Sequence, residues 1–184
     1  MKVWPVPDSF KKSLPKVGER GSFWEFRGDR YHAGVDIFAP VGADVLSIQN
    51  GKVIDVGTYT TSESANFLNT SYYITIKTSQ NINIKYAEVD EIRVRIGDFV
   101  NAGQIIAKIA KVLNEENLSH STPQYLREMI VKGLVSMLHL ETYIAPVAEV
   151  RPYLYGNYLG EVKPYSIIDP NLFLNGSVHN IEDD

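Results

Sequence analysis

Tyr72-Tyr73-Ile74-Thr75-Ile76-Lys77 alternates between apolar and polar positions, and five residues on so does Ile82-Asn83-Ile84-Lys85-Tyr86, which sets Ile82, Ile84 and Tyr86 on one face. A period of two marks a strand with one buried side. Around this pair, from residue 34 to 110, short apolar runs are broken by turn residues: Gly42, Asn50-Gly51, Gly57, Gly97-Asp98 and Gly103. Strands at that spacing, with few helical patterns between them, predict a mainly β fold built on an antiparallel sheet or sandwich.

The flanks read differently. Residues 1–30 are rich in proline, glycine and charge, and predict an extended lead-in packed by Trp4, Phe23, Trp24 and Phe26. Residues 112–133 form an insert. Asn114-Glu115-Glu116-Asn117 is a polar loop, and Ser121/Thr122-Pro123 can cap one short helix near 121–132 that stops at Gly133. Strand pattern resumes at Val135–Tyr143, a hairpin-like stretch follows at Val150–Tyr165, and residues 175–184 read as a flexible tail. The expectation is one domain over 31–174, long enough for a real core.

Bulk chemistry narrows the function. A net charge of −4 and a pI near 5.6 carry no nucleic-acid footprint. The chain has no cysteine, so a metal would be held by histidine and carboxylate alone. No stretch is apolar enough to span a membrane, and Met1-Lys2-Val3-Trp4-Pro5 lacks the apolar region of an export signal. Oligomeric state leaves no trace in the sequence.

Two segments carry the chemistry: Tyr31-His32-Ala33-Gly34-Val35-Asp36-Ile37 and Met137-Leu138-His139-Leu140-Glu141. On a strand, His32 and Asp36 share a face, and Gly34 between them leaves room for an ion. A straight strand separates their Cα atoms by about 13 Å, so a kink is expected near Gly34. In the second segment Leu138 and Leu140 enter the core, while Met137, His139 and Glu141 face the other way. Glu141 can then accept the second ring N–H of a ligand histidine. Two imidazoles and a carboxylate make an open zinc site, which activates water for hydrolysis. Each motif alone is also compatible with chance spacing or a satisfied core histidine.

The order of the motifs adds a resemblance. YHAGVDIFAPVGADVLSIQNGKVIDVG (31–57) resembles the His-x-Gly-x-Asp-Ile signature of the lysostaphin/LytM-type zinc metalloendopeptidases, with its following Ala-Pro-x-Gly. KYAEVDEIRVRIGDFVNAGQIIAKI, MLHLE and IIDPNLFL are similar to three later blocks, and WPVP to a common opening. The similarity covers about residues 4–111 and 135–174. It implies a duplicated-hybrid-motif (barrel-sandwich) fold, with one zinc ion on His32, Asp36 and His139. It also implies endopeptidase action on peptidoglycan peptides, and a cell-envelope or extracellular setting. In the family two further histidines flank the metal as general base and oxyanion stabiliser. Here those positions are Glu88 and Met137, and the short Gly-Ser-Thr-Gly loop before the last block is replaced by the insert. Methionine transfers no proton. Glu88 has three readings: the base, a fourth ligand that closes the site, or a solvated carboxylate at a strand end. Regular alternation puts it on the face of Tyr86. Tyr31, Tyr59, Tyr86 and Arg30 are candidate oxyanion donors by proximity, Tyr31 and Tyr86 also as groove residues, and His120 is a further candidate proton carrier. The resemblance thus leads to a divergent peptidase of altered or reduced catalysis, or to an inactive envelope binding or regulatory module. A barrel-sandwich carrier domain, whose turn resembles residues 97–104, lacks a convincing phosphorylatable histidine pair or modified lysine.

Overall fold

The computed structural model describes residues 2–119, 122, 124–144, 153–154 and 156–174. Twelve strands are found among them: β1 (Tyr31–His32), β2 (Val35–Phe38), β3 (Asp44–Leu46), β4 (Gly51–Thr60), β5 (Ser71–Thr78), β6 (Ile82–Asp90), β7 (Phe99–Val100), β8 (Ile105–Ile109), β9 (Met137–Ile144), β10 (Tyr153–Leu154), β11 (Asn157–Tyr158) and β12 (Ile167–Ile168). The two alternating segments become β5 and β6, paired antiparallel with Ile74 opposite Tyr86 and Ile76 opposite Ile84. All four of these side chains are buried in one core. The nine-stranded sheet runs β12-β9-β6-β5-β4-β7; β2 adds to β9, and β8 bonds both β3 and the end of β6. Val45 of β3 and Ile106, Ala107 and Ile109 of β8 thereby close over Ile74, Ile84, Leu138 and Leu140. The mainly β antiparallel prediction agrees with this architecture.

The lead-in belongs to the same body. Val6 is fully buried in the core, and Val3 N–H and Leu46 N–H bond across to the Ile48 and Pro5 carbonyls. The helical insert appears as α1 (Gln124–Val131), after a 3₁₀ turn at Glu115–Asn117 in which the Asn114 side chain accepts from Glu116 N–H. Leu126 and Met129, three apart on α1, are buried. A second helix, α2 (Pro170–Leu174), was not anticipated. Its signal stands in the sequence: Asp169 accepts from Asn171 N–H at 2.8 Å, and Pro170 takes the first helical position. The hairpin-like stretch contains β10 and β11, with Tyr153 opposite Tyr158, and β11 pairs with β1. His120, Ser121, Pro123 and the 175–184 tail lie outside the described residues. No helix among the described residues is long and apolar enough to cross a membrane.

The expected kink is present: the chain leaves strand geometry at Ala33–Gly34, between β1 and β2. The reason for glycine differs from the one foreseen. A Cβ at position 34 would overlap the Leu140 carbonyl oxygen and lie 2.9 Å from Glu141 Cγ and 3.0 Å from His139 Cε1. Gly34 therefore makes room for β9 and its histidine, not for an ion. Gly34→Ala is expected to push β9 away and to destabilise the fold by about 1–3 kcal/mol, as overpacking does. A urea titration of the two proteins checks this.

Candidate metal centre

Strand register brings the centre together. Asp36 of β2 lies directly opposite His139 of β9, and Ala87 of β6 faces His139 from the other side. Residues directly opposite on antiparallel strands share a face, so the carboxylate and the imidazole emerge on the same side. Leu138 and Leu140 enter the core, as the alternation predicts. His32 joins from the far side of the kink. His32 Nε2, Asp36 Oδ1 and His139 Nδ1 are mutually close: 3.0 Å between the nitrogens, and 3.2 and 2.9 Å from the carboxylate oxygen to each in turn. All three residues are buried. Among the described residues they form the one group of His, Asp and Glu suited to holding a metal ion.

Both imidazoles are held from behind. His32 Nδ1 lies 2.9 Å from the Ser22 carbonyl, and His139 Nε2 lies 2.8 Å from Glu141 Oε1. Each outer nitrogen thus donates its proton outward, so the inner nitrogen of each ring offers its lone pair once a metal displaces any proton held there. Three acceptors then converge with a cation's place between them. Zinc held at 2.0–2.1 Å in tetrahedral geometry sets its ligand atoms about 3.3 Å apart. The observed triangle is a few tenths of an ångström tighter, so the donor set fits zinc after a slight expansion.

The electrostatics agree. Burial pushes the Asp36 carboxyl up, but the His32 charge and the hydrogen bonds from both histidines outweigh it and hold Asp36 well below the usual range. Burial works against the His139 imidazolium, while the hydrogen bonds to Asp36 and Glu141 and the charge of both carboxylates raise it to about 9. Without a metal, a proton on His139 therefore bridges the acceptors at neutral pH.

Arg27 is the supporting residue that sequence reading missed. Its Nη2 donates to Asp36 Oδ2 at 3.1 Å and to Glu25 Oε2 at 3.2 Å. The second carboxylate oxygen of Asp36 is thereby occupied and Oδ1 is left to the centre. Asp36 N–H bonds the Gly21 carbonyl at 2.9 Å, and Gly21 N–H bonds Glu25 at 3.0 Å. No spacing rule points to Arg27, which sits in the irregular lead-in; the only cue is a cation near a buried carboxylate. Arg27→Met is expected to keep the fold and to weaken metal affinity about 10–100-fold, the usual scale for such outer partners. Competition with a chromophoric chelator reads this out.

The centre opens into a cavity of about 680 Å³ lined by Asp36, His139, Glu88, Met137, Tyr59 and residues of the lead-in and the insert. Glu88 arrives there by a route that alternation does not predict. Opposite it, Tyr72 pairs with Val89 and Tyr73 with Ala87, so Glu88 is the extra residue of a β-bulge, with φ of +63°. The bulge turns Glu88 away from the Tyr86 face and into the cavity. Glu88 is half-buried, so it is not a solvated strand end. It stands outside the triad of mutually close ligand atoms. Burial first, then the Asp36 charge, raise its carboxyl to about 7, with His139 and Arg27 opposing.

The other sequence candidates separate. Tyr86 is a core residue: its side chain is fully buried and its hydroxyl accepts from Ile48 N–H at 2.8 Å, so it is not a groove residue. Tyr31 is not one either; its ring stacks on Trp24 at 5.0 Å and packs against Phe26. Arg30 lines the cavity in a two-point ion pair with Asp29 at 2.6 and 2.8 Å. Tyr59 lines it as well, its ring stacked on His139 at 5.9 Å between centroids. Burial, with Glu141, Glu88 and Asp36 nearby, holds the Tyr59 phenol well above its ordinary pKa, so it stays a neutral donor. Met137 is where alternation puts it, on the cavity wall. Behind the ring of His139, Gly156 packs so closely that a Cβ there would lie 2.5 Å from Nε2.

The model of Peptidase family M23 matches residues 30–128, more than half of the chain. The fold is similar to the catalytic domain of lysostaphin, an antimicrobial peptidase from Staphylococcus simulans. Identity is 20% and the TM-score 0.52, over 85% of this chain and 90% of that one. Longer lysostaphin from the same organism matches at 19% identity and a TM-score of 0.51, over 85% of this chain and 48% of that one. A putative peptidase M23 from Pseudomonas aeruginosa matches at 17% identity and a TM-score of 0.50, over 95% and 50%. The chain spans about half the length of these two longer proteins. No curated protein matches the sequence.

Proposed function

The chain belongs to peptidase family M23, and we propose that it is a zinc-dependent metalloendopeptidase acting on peptidoglycan peptides in the cell envelope, with catalysis reduced by the loss of both flanking histidines. The observation that carries this reading is the convergence of His32 Nε2, Asp36 Oδ1 and His139 Nδ1 within 2.9–3.2 Å of one another, with each histidine's outer nitrogen already engaged. A zinc ion bound there would supply an activated water and polarise a carbonyl at neutral pH. Glu88 is outside the triad, so His32, Asp36 and His139 would hold a zinc ion by three protein ligands and would leave room for a water, as hydrolytic sites require.

The protein's own groups have distinct tasks in this reading. Arg27 and Gly21 fix Asp36, and Ser22 and Glu141 fix the two imidazoles. Glu88 accepts the proton of the attacking water and returns it to the leaving amine. Its raised pKa, about 7 before any metal charge acts on it, suits that two-way role. Tyr59 donates from its neutral hydroxyl to the developing oxyanion. Met137 transfers nothing, so Glu88 carries proton transfer alone, and this favours slow turnover.

Two measurements test the proposal together: zinc per chain after dialysis, and release of new amino groups from purified peptidoglycan. One equivalent of zinc with slow, chelator-sensitive hydrolysis is the expected result. One equivalent with no hydrolysis would leave an envelope-binding module on the same metal. Absence of tight zinc binding would overturn both readings.

A further inference from the structure

The insert at 112–133 does more than connect two strands. α1 lays Leu126 and Met129 against the cavity that also holds Asp36 and His139, and Phe67, Leu68, Leu113 and Met137 continue the same apolar wall. The wall is tied down by backbone. Leu68 and Leu113 form an isolated bridge, Asn69 N–H bonds the Val112 carbonyl at 2.7 Å, and Asn114 N–H bonds the Phe67 carbonyl at 2.9 Å. The Asn69 side chain adds bonds to the Lys111 and Leu113 carbonyls at 3.0 and 3.2 Å. The cavity is also lined by charged residues of the lead-in, Arg27, Arg30, Glu25 and Asp29. One cavity of about 680 Å³ is therefore lined by Asp36 and His139 of the triad, by an apolar wall and by charged side chains, within the size range of small-ligand sites.

We infer that the insert builds a side-chain subsite, and that the protein selects peptides bearing a large aliphatic side chain next to the bond presented to the metal centre, over glycine at that position. This rests on the proposed metal centre. A peptide whose carbonyl reaches His32, Asp36 and His139 must lie in the cavity that the apolar wall borders. A glycine there leaves the half-buried Phe67, Leu68 and Met137, which the buried Leu113, Leu126 and Met129 flank, uncovered, whereas a leucine side chain covers them and gains the hydrophobic free energy of burial.

Two probes separate the possibilities: N-acetyl-leucine hydroxamate and N-acetyl-glycine hydroxamate, which chelate identically and differ only in side chain. Their affinities are measured by calorimetry on the full chain, with zinc and again with excess chelator. The expected result is zinc-dependent binding with the leucine probe about 10–100-fold tighter. Met129→Ser is expected to reduce that preference to about 3-fold or less, with the glycine probe unchanged as the control for an intact centre. Equal, zinc-dependent affinities for the two probes in the unmodified protein would overturn the subsite and leave the metal centre standing. A leucine preference with both affinities unchanged by chelation would uphold the subsite and overturn the metal centre. Binding of neither probe would overturn both.

Discussion

Replacing Glu88 by glutamine is expected to lower hydrolysis about 10²–10⁴-fold, the range for losing a positioned general base, with zinc content unchanged. Glutamine keeps the shape of the bulge residue and removes only the proton acceptor. Burial and the Asp36 charge hold the Glu88 carboxyl near 7 in the metal-free protein; a dication at the triad adds an opposite charge and moves it lower. The acidic limb of the kcat/KM profile should therefore fall below pH 7 and vanish in Glu88→Gln. A variant that hydrolyses peptidoglycan at the parent rate would remove Glu88 from the mechanism.

The second large effect concerns His139. In the metal-free protein its imidazolium lies between two buried carboxylates, 2.9 Å from Asp36 Oδ1 and 2.8 Å from Glu141 Oε1. His139→Ala takes away the charge that both were arranged around, and the expected loss at pH 6 is about 3–5 kcal/mol, the scale for breaking a buried ion pair. The sign with pH follows from the shift. Burial opposes the charged form, but the carboxylates raise the folded-state pKa to about 9 from an ordinary value of 6.5. The stabilisation is thus fully present below about 6.5 and is lost as pH rises through about 9. Urea titrations with chelator should show the difference between parent and variant shrinking from pH 6 to pH 10. Zinc has the opposite dependence, because it competes with that proton and binds more tightly as pH rises.

What could be read from the residues alone follows their periodicity. Alternation in β5 and β6 predicted which face of each enters the core, and alternation in β9 separated Leu138 and Leu140 from Met137, His139 and Glu141. The His139–Glu141 contact needed only a two-residue spacing on one face. The kink at Gly34 followed from the reach of two side chains, although the glycine's role in admitting β9 depends on a strand a hundred residues away. The chemistry of Glu88 is legible in the sequence but its face is not, because a bulge is set by the pairing of β5 with β6 and leaves no mark in a single strand. Tyr86 and Tyr31 were drawn toward the groove by proximity in sequence, whereas one packs inward and the other stacks on Trp24. Arg27 and the Ser22 carbonyl escaped because an irregular lead-in has no period from which to infer a direction. Asp169-Pro170 is both part of a family-like ending and the cap of the short helix at 170–174, and five residues are too few to show a helical period.

The positive backbone angle at Glu88 has a consequence for how the carboxylate is carried. Tyr86 and Val89 both face the interior, three positions apart, which a plain pleat cannot achieve. Excising position 88 alone would bring those two side chains back to an uninterrupted inward–outward rhythm, with Ala87 still beside the imidazole strand. The shortened chain would lack its acid group in the cavity and the Glu88 carbonyl that accepts from Ala110 N–H at 2.9 Å, so the supernumerary residue both carries the carboxylate and ties the bulge to the chain that follows β8.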